Sequence, residues 1–263
     1  MNANRSVFWA SSWATLWALW FAAAPVLGEE TPPSAAEILK LHDRAHSNFQ
    51  DLTIESKMTI REPGAETGRQ VALTTWLKGE DKRLVRFTAP ADMRGMGILT
   101  EGRDTMYAFL PGFQRVRRMG IHLKGQSFMG SDLTFEDMNE STLTGLYAPK
   151  YLGSEGEAWI LELALLPGKQ AEFPKLKVWI DKQIHQSTRV EYYDEKGQKA
   201  RTATRSGWKK DEGPIVHYSP ERMVMVDHRR NGHSTELVIV KAKVNQQLGD
   251  ELFSQRSLIR GAN

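Results

Sequence analysis

TMYAFLPGFQRVRRMGIHLKGQSFMGSDLTFEDM, residues 105–138, joins two long series of alternating segments and is the least generic part of the chain. Met106, Ala108 and Leu110 alternate with Tyr107 and Phe109 as an extended strand with little polarity on either face. Pro111-Gly112 then supplies a preset φ and a residue free to take positive φ. A hairpin running into residues 114–119 is expected. Gly125, Gly130 and the pair Ser131-Asp132 break the pattern before Thr134-Phe135-Glu136-Asp137, whose Ser/Thr-x-x-Asp/Glu spacing marks a helix start.

On both sides of this stretch the periodicity is two. The spacing predicts strands over 53–61, 69–77, 83–89, 97–100 and 105–110 upstream, and over 150–153, 158–165, 175–180, 186–193, 200–208, 214–227 and 234–245 downstream. The links are short and glycine-rich, with Lys196-Gly197, Asp211-Glu212-Gly213 and Asn231-Gly232 as hairpin turns. Short links join antiparallel neighbours, because parallel pairing needs a long crossover. A sheet of about ten or more such strands curls, so the fold class is mainly β (α+β): a strongly curved antiparallel sheet forming an incomplete barrel.

A helix over 35–48 precedes the strands, with Ser34 as its cap, Glu37 three residues on, and Ile38, Leu41, Ala45 and Phe49 at helical spacing. This helix and the central loop must cover the concave apolar face, since most other elements are strands. Either a filled core or an apolar cavity results, and methionines such as Met93, Met96, Met119, Met129 and Met138 would suit an adaptable wall. Asp250-Glu251-Leu252-Phe253-Ser254 reads as one terminal helical turn docked through Leu252 and Phe253.

Composition removes several function classes. The 263 residues are 40% hydrophobic and 25% charged, as a folded chain with a sizeable core requires. A net charge of +3 is too small for an electrostatic grip on nucleic acid. With no cysteine there is no disulfide, no thiolate metal site and no lipidation on sulfur. His42 and His46 stand at i and i+4 on the helix like half of a zinc-protease signature. The general-base position holds the shorter Asp43, no third ligand stands out, and a solvated helix face is the simpler reading. No nucleophile elbow, phosphate-cradling loop or dinucleotide fingerprint is present, and His217, His228 and His233 read as structural or solvated. No catalytic residue, metal site or cofactor is expected.

Residues 1–28 are of another kind. Arg5 is the only charge before Glu29, and residues 7–24 are dominated by Trp, Leu, Ala and Phe. This is the pattern of an export signal, with small residues before plausible cuts at Val26-Leu27-Gly28 or Ala22-Ala23-Ala24. Residues 6–28 are also long enough to cross a bilayer as a retained anchor. Pro25 and Gly28 interrupt the apolar run where a signal peptide ends and favour cleavage, giving a leader over 1–28 and a single domain over 29–263, located in a periplasm.

Pro90-x-x-x-x-Gly95-x-Gly97-x-Leu99, Met106-Tyr107-x-Phe109-Leu110-Pro111, Val116-Arg117-Arg118, Ser127-Phe128-Met129-Gly130-Ser131-Asp132 and Glu136-Asp137 follow one another in an order that resembles the periplasmic outer-membrane lipoprotein-sorting family. That family is related to LolA, LolB and RseB, and its longer members are linked to RND-type lipid exporters. The resemblance implies an incomplete barrel plugged by helices, a hydrophobic cavity for acyl chains, and a carrier rather than an enzyme. It also implies an inner-membrane exporter of RND or Lol type as donor, an outer-membrane acceptor, transient membrane contact and no nucleic acid. An RseB-like lipid-sensing module and a membrane-tethered exporter subunit are the alternatives.

On this basis Met106, Phe109, Leu110, Arg117, Arg118, Met119, Phe128, Met129 and Phe135 are candidate ligand-binding or lid residues. Ser127, Gly130, Ser131, Asp132, Glu136 and Asp137 are candidates for ordering the loop. Arg115, Arg117, Arg118, His122 and Lys124 form a basic run followed by Asp132, Glu136, Asp137 and Glu140. The arginines suit bidentate contact with a lipid phosphate or an acidic partner. The favoured reading is that Arg117 or Arg118 pairs internally with Asp132 or Asp137 and pins the loop across the mouth. Amino-terminal sequencing of the exported protein is expected to find a new terminus between Pro25 and Glu29; recovery of Met1 or Asn2 would show an anchored form instead.

Overall fold

The computed structural model describes residues 32–102, 105–120, 126–135, 137 and 142–260, of which Pro33 onward belongs to one compact unit. The leader, His122, Lys124, Glu136, Met138 and Glu140 lie outside the described residues. Helix α1 (Ala35–Ser47) leads into β1 (Asp51–Arg61), β2 (Arg69–Lys78), β3 (Lys82–Ala89), β4 (Gly97–Glu101), β5 (Thr105–Leu110) and β6 (Arg115–Met119). After the central loop come β7 (Tyr147–Glu155), β8 (Ala158–Leu165), β9 (Lys175–Asp181), β10 (Ser187–Tyr193), β11 (Lys199–Lys210), β12 (Tyr218–Asp227) and β13 (His233–Val244). A short helix, α2 (Gln255–Arg260), closes the described chain.

Among the described residues the strands form one thirteen-stranded sheet in the order β6-β5-β4-β3-β2-β1-β13-β12-β11-β10-β9-β8-β7. Every neighbouring pair is antiparallel. The two meanders meet where β1 pairs with β13, from Leu52 opposite Val244 to Arg61 opposite Ser234. The sheet does not close, so β6 and β7 are its edges. The edge β6 carries exposed Arg115, Arg117 and Arg118, which discourage edge-to-edge pairing.

Alternation divides the side chains between two faces. Met58, Ile60, Val71, Leu73, Val85 and Phe87 point to the inner face, where Ile38 and Leu39 of α1 and Phe128, Leu133, Phe135 and Leu143 of the central loop pack onto them. Leu84, Leu99 and Phe109 point outward and are covered by Phe253 and Leu258. Helix α2 was not legible in the sequence, since a six-residue helix has too few turns to show a period.

Helix α1 begins as expected: Ser34 Oγ accepts from Glu37 N at 3.3 Å while Glu37 Oε2 accepts from Ser34 N at 2.8 Å. Its buried face differs from the apolar spacing, with Ile38, Leu39, His42 and Asp43 inward rather than Leu41 and Ala45. The rotation follows from Asp43, whose carboxylate accepts from the amides of Leu143 (3.1 Å) and Thr144 (2.7 Å) and ties the helix to the loop. At the β5–β6 hairpin Gly112 was expected to take the positive φ. Pro111–Phe113 instead form one 3-10 turn and Gln114 takes it, with φ 48°.

Because β6 and β7 lie at opposite edges, the segment between them must cross the sheet. It does so as a belt over the inner face. Ser127 and Thr134 bridge antiparallel around a tight turn in which Met129 (φ 56°) and Gly130 (φ 80°) are both left-handed, the pairing a two-residue reverse turn requires. Arg69 of β2 donates to the Met129 carbonyl. Thr134 and Asp137 make the expected reciprocal cap, with Thr134 N to Asp137 Oδ2 at 2.7 Å and Asp137 N to Thr134 Oγ1 at 3.1 Å.

Among the described residues, Asp132 and Asp137 do not pair with Arg117 or Arg118. Asp132 accepts from His233 Nδ1 (2.6 Å), Thr235 Oγ1 (2.7 Å) and Arg230 Nη1 (3.3 Å). Asp137 accepts from both terminal nitrogens of Arg201 at 2.9 and 3.3 Å. Arg117 instead lies beside Phe113, 5.9 Å from the ring centroid, at the sheet edge. Centrally placed β11 and β13 can reach the belt where the edge strand cannot.

Arg201 is 2% exposed and also reaches the Asp132 carbonyl and Glu172, with Phe173 and Tyr192 against its guanidinium. Arg201→Met leaves Asp137 without its cation and is expected to lower stability by about 3 kcal/mol, measured by urea unfolding. A cost below about 1 kcal/mol, the scale of an exposed pair, would show that the belt is held by its aromatics alone.

Candidate functional site: a roofed cavity on the inner face

Beneath the C-terminal half of α1 the inner face is not filled. A cavity of about 270 Å³ lies between the helix, the belt and the middle strands. Its apolar wall includes Phe49, Leu52 and Ile54 on the α1–β1 side, Leu73 and Leu77 of β2, Val190 of β10, Met223 and Met225 of β12, and Leu237 and Ile239 of β13. The inward residues of β1, β2 and β13 recur every second position, so the alternation that makes a sheet two-faced also makes this wall apolar. Leu133 and Leu143 close it from the belt side.

None of Met106, Phe109, Leu110, Arg117, Arg118, Met119, Phe128, Met129 and Phe135 lines this cavity. Met106, Phe128 and Phe135 are buried in the main core, where Phe128 stacks on Phe87 with centroids 5.8 Å apart and meets Phe135 edge-on at 5.4 Å. Phe109 belongs to the outer face, and the arginines to the exposed edge. Of the loop residues, Asp137 borders the cavity. Ser131 Oγ bonds the Phe128 carbonyl at 2.6 Å and Ser127 Oγ the Ser131 carbonyl at 2.5 Å, so these hydroxyls shape the turn. The methionines on the wall are Met223 and Met225, on a late strand.

The polar groups at the cavity are residues to which the sequence gave no binding role. His42 and His46 line it with their rings stacked, centroids 6.0 Å apart and 5° from parallel; His42 is buried rather than solvated, while His46 is exposed as expected. His217 lies across from them, held through Nδ1 by Asp211 at 2.6 Å, with Phe49 edge-on at 5.3 Å. Arg83 of β3 and Arg205 of β11 also point inward. The signal for these arginines was present: Arg83 shares its parity with Val85 and Phe87, so a cation stands where the alternation calls for an apolar residue.

His46 borders the cavity and keeps an exposed surface. Burial among these walls, helped by the positive field of His42, Arg205, His217 and Arg83, pushes its imidazole down to about 3. Burial also lowers Arg83, to about 10, which leaves it a cation at neutral pH. Burial raises the Asp43 carboxyl, but hydrogen bonds from His42, Thr144 and Leu143 outweigh it and hold the group below its ordinary value. Among the described residues no three metal-type ligands come together.

The unclosed antiparallel sheet, roofed by a helix and a crossing belt over an apolar cavity, is an architecture that this chain shares with solved structures. A crystal structure of an outer membrane lipoprotein-sorting protein domain from Vibrio parahaemolyticus is similar, with TM-score 0.75 and 25% identity over 86% of this chain and 98% of that one. So are a DUF1329 family protein from Desulfovibrio piger (TM-score 0.76, 24% identity, 86% and 100% covered) and a LolA superfamily protein from Nitrosomonas europaea (0.69, 20%, 86% and 100%). The resemblance to lipoprotein-sorting proteins read from residues 90–137 thus holds for the whole fold. A family model described as "-like: Uncharacterized protein" matches residues 79–260, and the chain belongs to that family. A search of curated proteins gives no match.

With its pKa lowered from 6.5 to about 3, His46 refuses a proton that the unfolded chain accepts between those values. It therefore contributes stability that is complete above pH 6.5 and is lost as pH falls towards 3. The urea midpoint of the native protein is expected to fall more steeply across this window than that of His46→Gln. Parallel curves would show that His46 has free access to bulk water.

Proposed function

We propose that this protein is a periplasmic carrier that shields the acyl chains of a lipid or lipoprotein in the inner-face cavity and passes them towards the outer membrane. The observation that carries the reading is the cavity itself: an apolar void roofed by two segments, in a fold shared with a lipoprotein-sorting domain. Apolar burial stabilises the loaded state by roughly 0.8 kcal/mol per methylene, on the order of 10 kcal/mol for a sixteen-carbon chain. Release on a useful timescale therefore needs a movement of the roof. The roof has a place to open, since α1 is tied to the following segment by the Asp43 carboxylate and the amides of Leu143 and Thr144.

In this reading residues 1–28 are a cleaved leader and residues 29–263 one carrier domain. Donor and acceptor are an inner-membrane exporter of RND or Lol type and an outer-membrane protein. The β5–β6 hairpin suits transient contact with them, because Phe113 is 65% exposed at its tip and Arg115, Arg117 and Arg118 line its free edge. The role is carriage, with no chemical step.

Native mass spectrometry of protein purified without detergent is expected to find one lipid-sized adduct. Leu237→Trp, which fills the cavity from β13, should lose that adduct while unfolding at a similar urea concentration. A native protein free of lipid and unable to take any up from vesicles would overturn the carrier reading.

A further inference from the structure

We propose that the ligand of this cavity is an anionic single-chain lipid whose carboxylate or phosphate headgroup lies against Arg83 and Arg205. The inference rests on the carrier reading above and names the chemistry of its cargo. Other inward arginines have their charge met by protein. Arg201 is held by Asp137 and Glu172. On the outer face, Arg86 donates to the carbonyls of Ser257 (3.0 Å) and Leu258 (3.2 Å). Arg83 has no hydrogen bond or ion pair among the described residues. Among the described residues Arg205 has only Ser187, through Oγ at 3.0 Å and the carbonyl at 3.5 Å.

The carboxylates nearby are already engaged. Asp137 serves Arg201, Asp211 serves His217 (2.6 Å) and Ser219 (2.8 Å), and Asp43 serves His42 (3.3 Å) and the backbone of Leu143 and Thr144. Two guanidinium groups thus border an apolar cavity without an anion. An unpaired buried charge costs several kcal/mol, and a planar guanidinium is built for two-point contact with a carboxylate or phosphate. Both arginines line the same cavity, Arg83 from β3 and Arg205 from β11. The apolar wall of Leu73, Val190, Met225 and Leu237 provides the course for a chain.

Size points to a single chain. About 270 Å³ lies just below the 300–1,000 Å³ typical of pockets that enclose small molecules. The three chains of a triacylated lipoprotein would need far more room, and their glyceryl-cysteine junction offers no anion to the arginines.

The test is calorimetric titration of the purified protein with palmitate, hexadecyl phosphate, neutral hexadecanol and inorganic phosphate. Palmitate and hexadecyl phosphate are expected to bind about tenfold or more tightly than hexadecanol, the scale of one charged hydrogen bond. Inorganic phosphate is expected to bind far more weakly than either. In Arg83→Gln/Arg205→Gln the ratio of palmitate to hexadecanol affinity should fall to about one, whereas Arg83→Lys/Arg205→Lys should keep a preference for the anion. Hexadecanol binding by the Gln variant certifies that its cavity is folded.

Equal affinity for palmitate and hexadecanol in the native protein would overturn the headgroup assignment and leave the carrier reading standing. So would an undiminished preference in the Gln variant. Inorganic phosphate binding as tightly as hexadecyl phosphate would replace the lipid by a free anion. Failure of every amphiphile to bind would overturn both.

Discussion

Asp132 has a carboxylate with no solvent exposure, and its bonds to His233, Thr235 and Arg230 hold the centre of the molecule together. The need for it follows from topology. The strand order places β6 and β7 at opposite edges, so the chain between them has to cross the apolar inner face. A backbone laid over an apolar surface must have its polar groups satisfied. Thr235 of β13, whose hydroxyl accepts from Asp132 N, and Arg201 of β11, which donates to the Asp132 carbonyl, do this at the middle of the belt. Arg69 at the Met129 carbonyl and Asp43 at the Leu143 and Thr144 amides add further polar anchors. The aromatic packing of Phe87, Phe128 and Phe135 then seals one half of the inner face.

The other half stays hollow because its roof is lighter. There α1 turns Ile38 and Leu39 towards the packed side and His42 and His46 towards the cavity, and two imidazoles fill less of an apolar space than leucines would. The result is a cavity with a mainly aliphatic wall in which Arg83 and Arg205 have no carboxylate partner among the described residues. On its belt side α1 is held by the Asp43 carboxylate on two backbone amides, and its C-terminal end is also tied by Gln186 Nε2 to the Ala45 carbonyl (2.9 Å) and by Asn48 Nδ2 to the Val216 carbonyl (2.9 Å).

Much of the architecture was legible before any coordinates. Strand positions, the antiparallel meanders, the Ser34 cap and the Thr134–Asp137 cap all follow from periods and spacings of a few residues. The resemblance to lipoprotein-sorting proteins was likewise carried by local strings such as Ser127 to Asp132. The cavity wall was not legible, because Leu73, Val190 and Leu237 read as ordinary inward residues and only the pairing of distant strands brings them together. The basic run illustrates the limit. Arg117 and Asp132 are close in sequence and opposite in charge, yet β6 lies at an edge and the partner chosen for Asp132 is His233, one hundred and one residues away.

By itself the amino-acid sequence determined where the chain is extended, where it turns and which residues alternate inward, since those properties depend on neighbours within one turn or one strand. It also carried the anomaly of Arg83 on an apolar face. Tertiary structure alone decided that β1 pairs with β13, which put the free edges at β6 and β7 and forced the belt across the sheet. It alone decided which acids meet which cations. Arg201 and Asp137 lie 64 residues apart, and nothing local distinguishes a guanidinium that will find a carboxylate from one, like Arg83, left facing an empty space. Charge pairing in an interior is settled by what the folded strands bring within a few ångströms, and that distance has no image in the order of the residues.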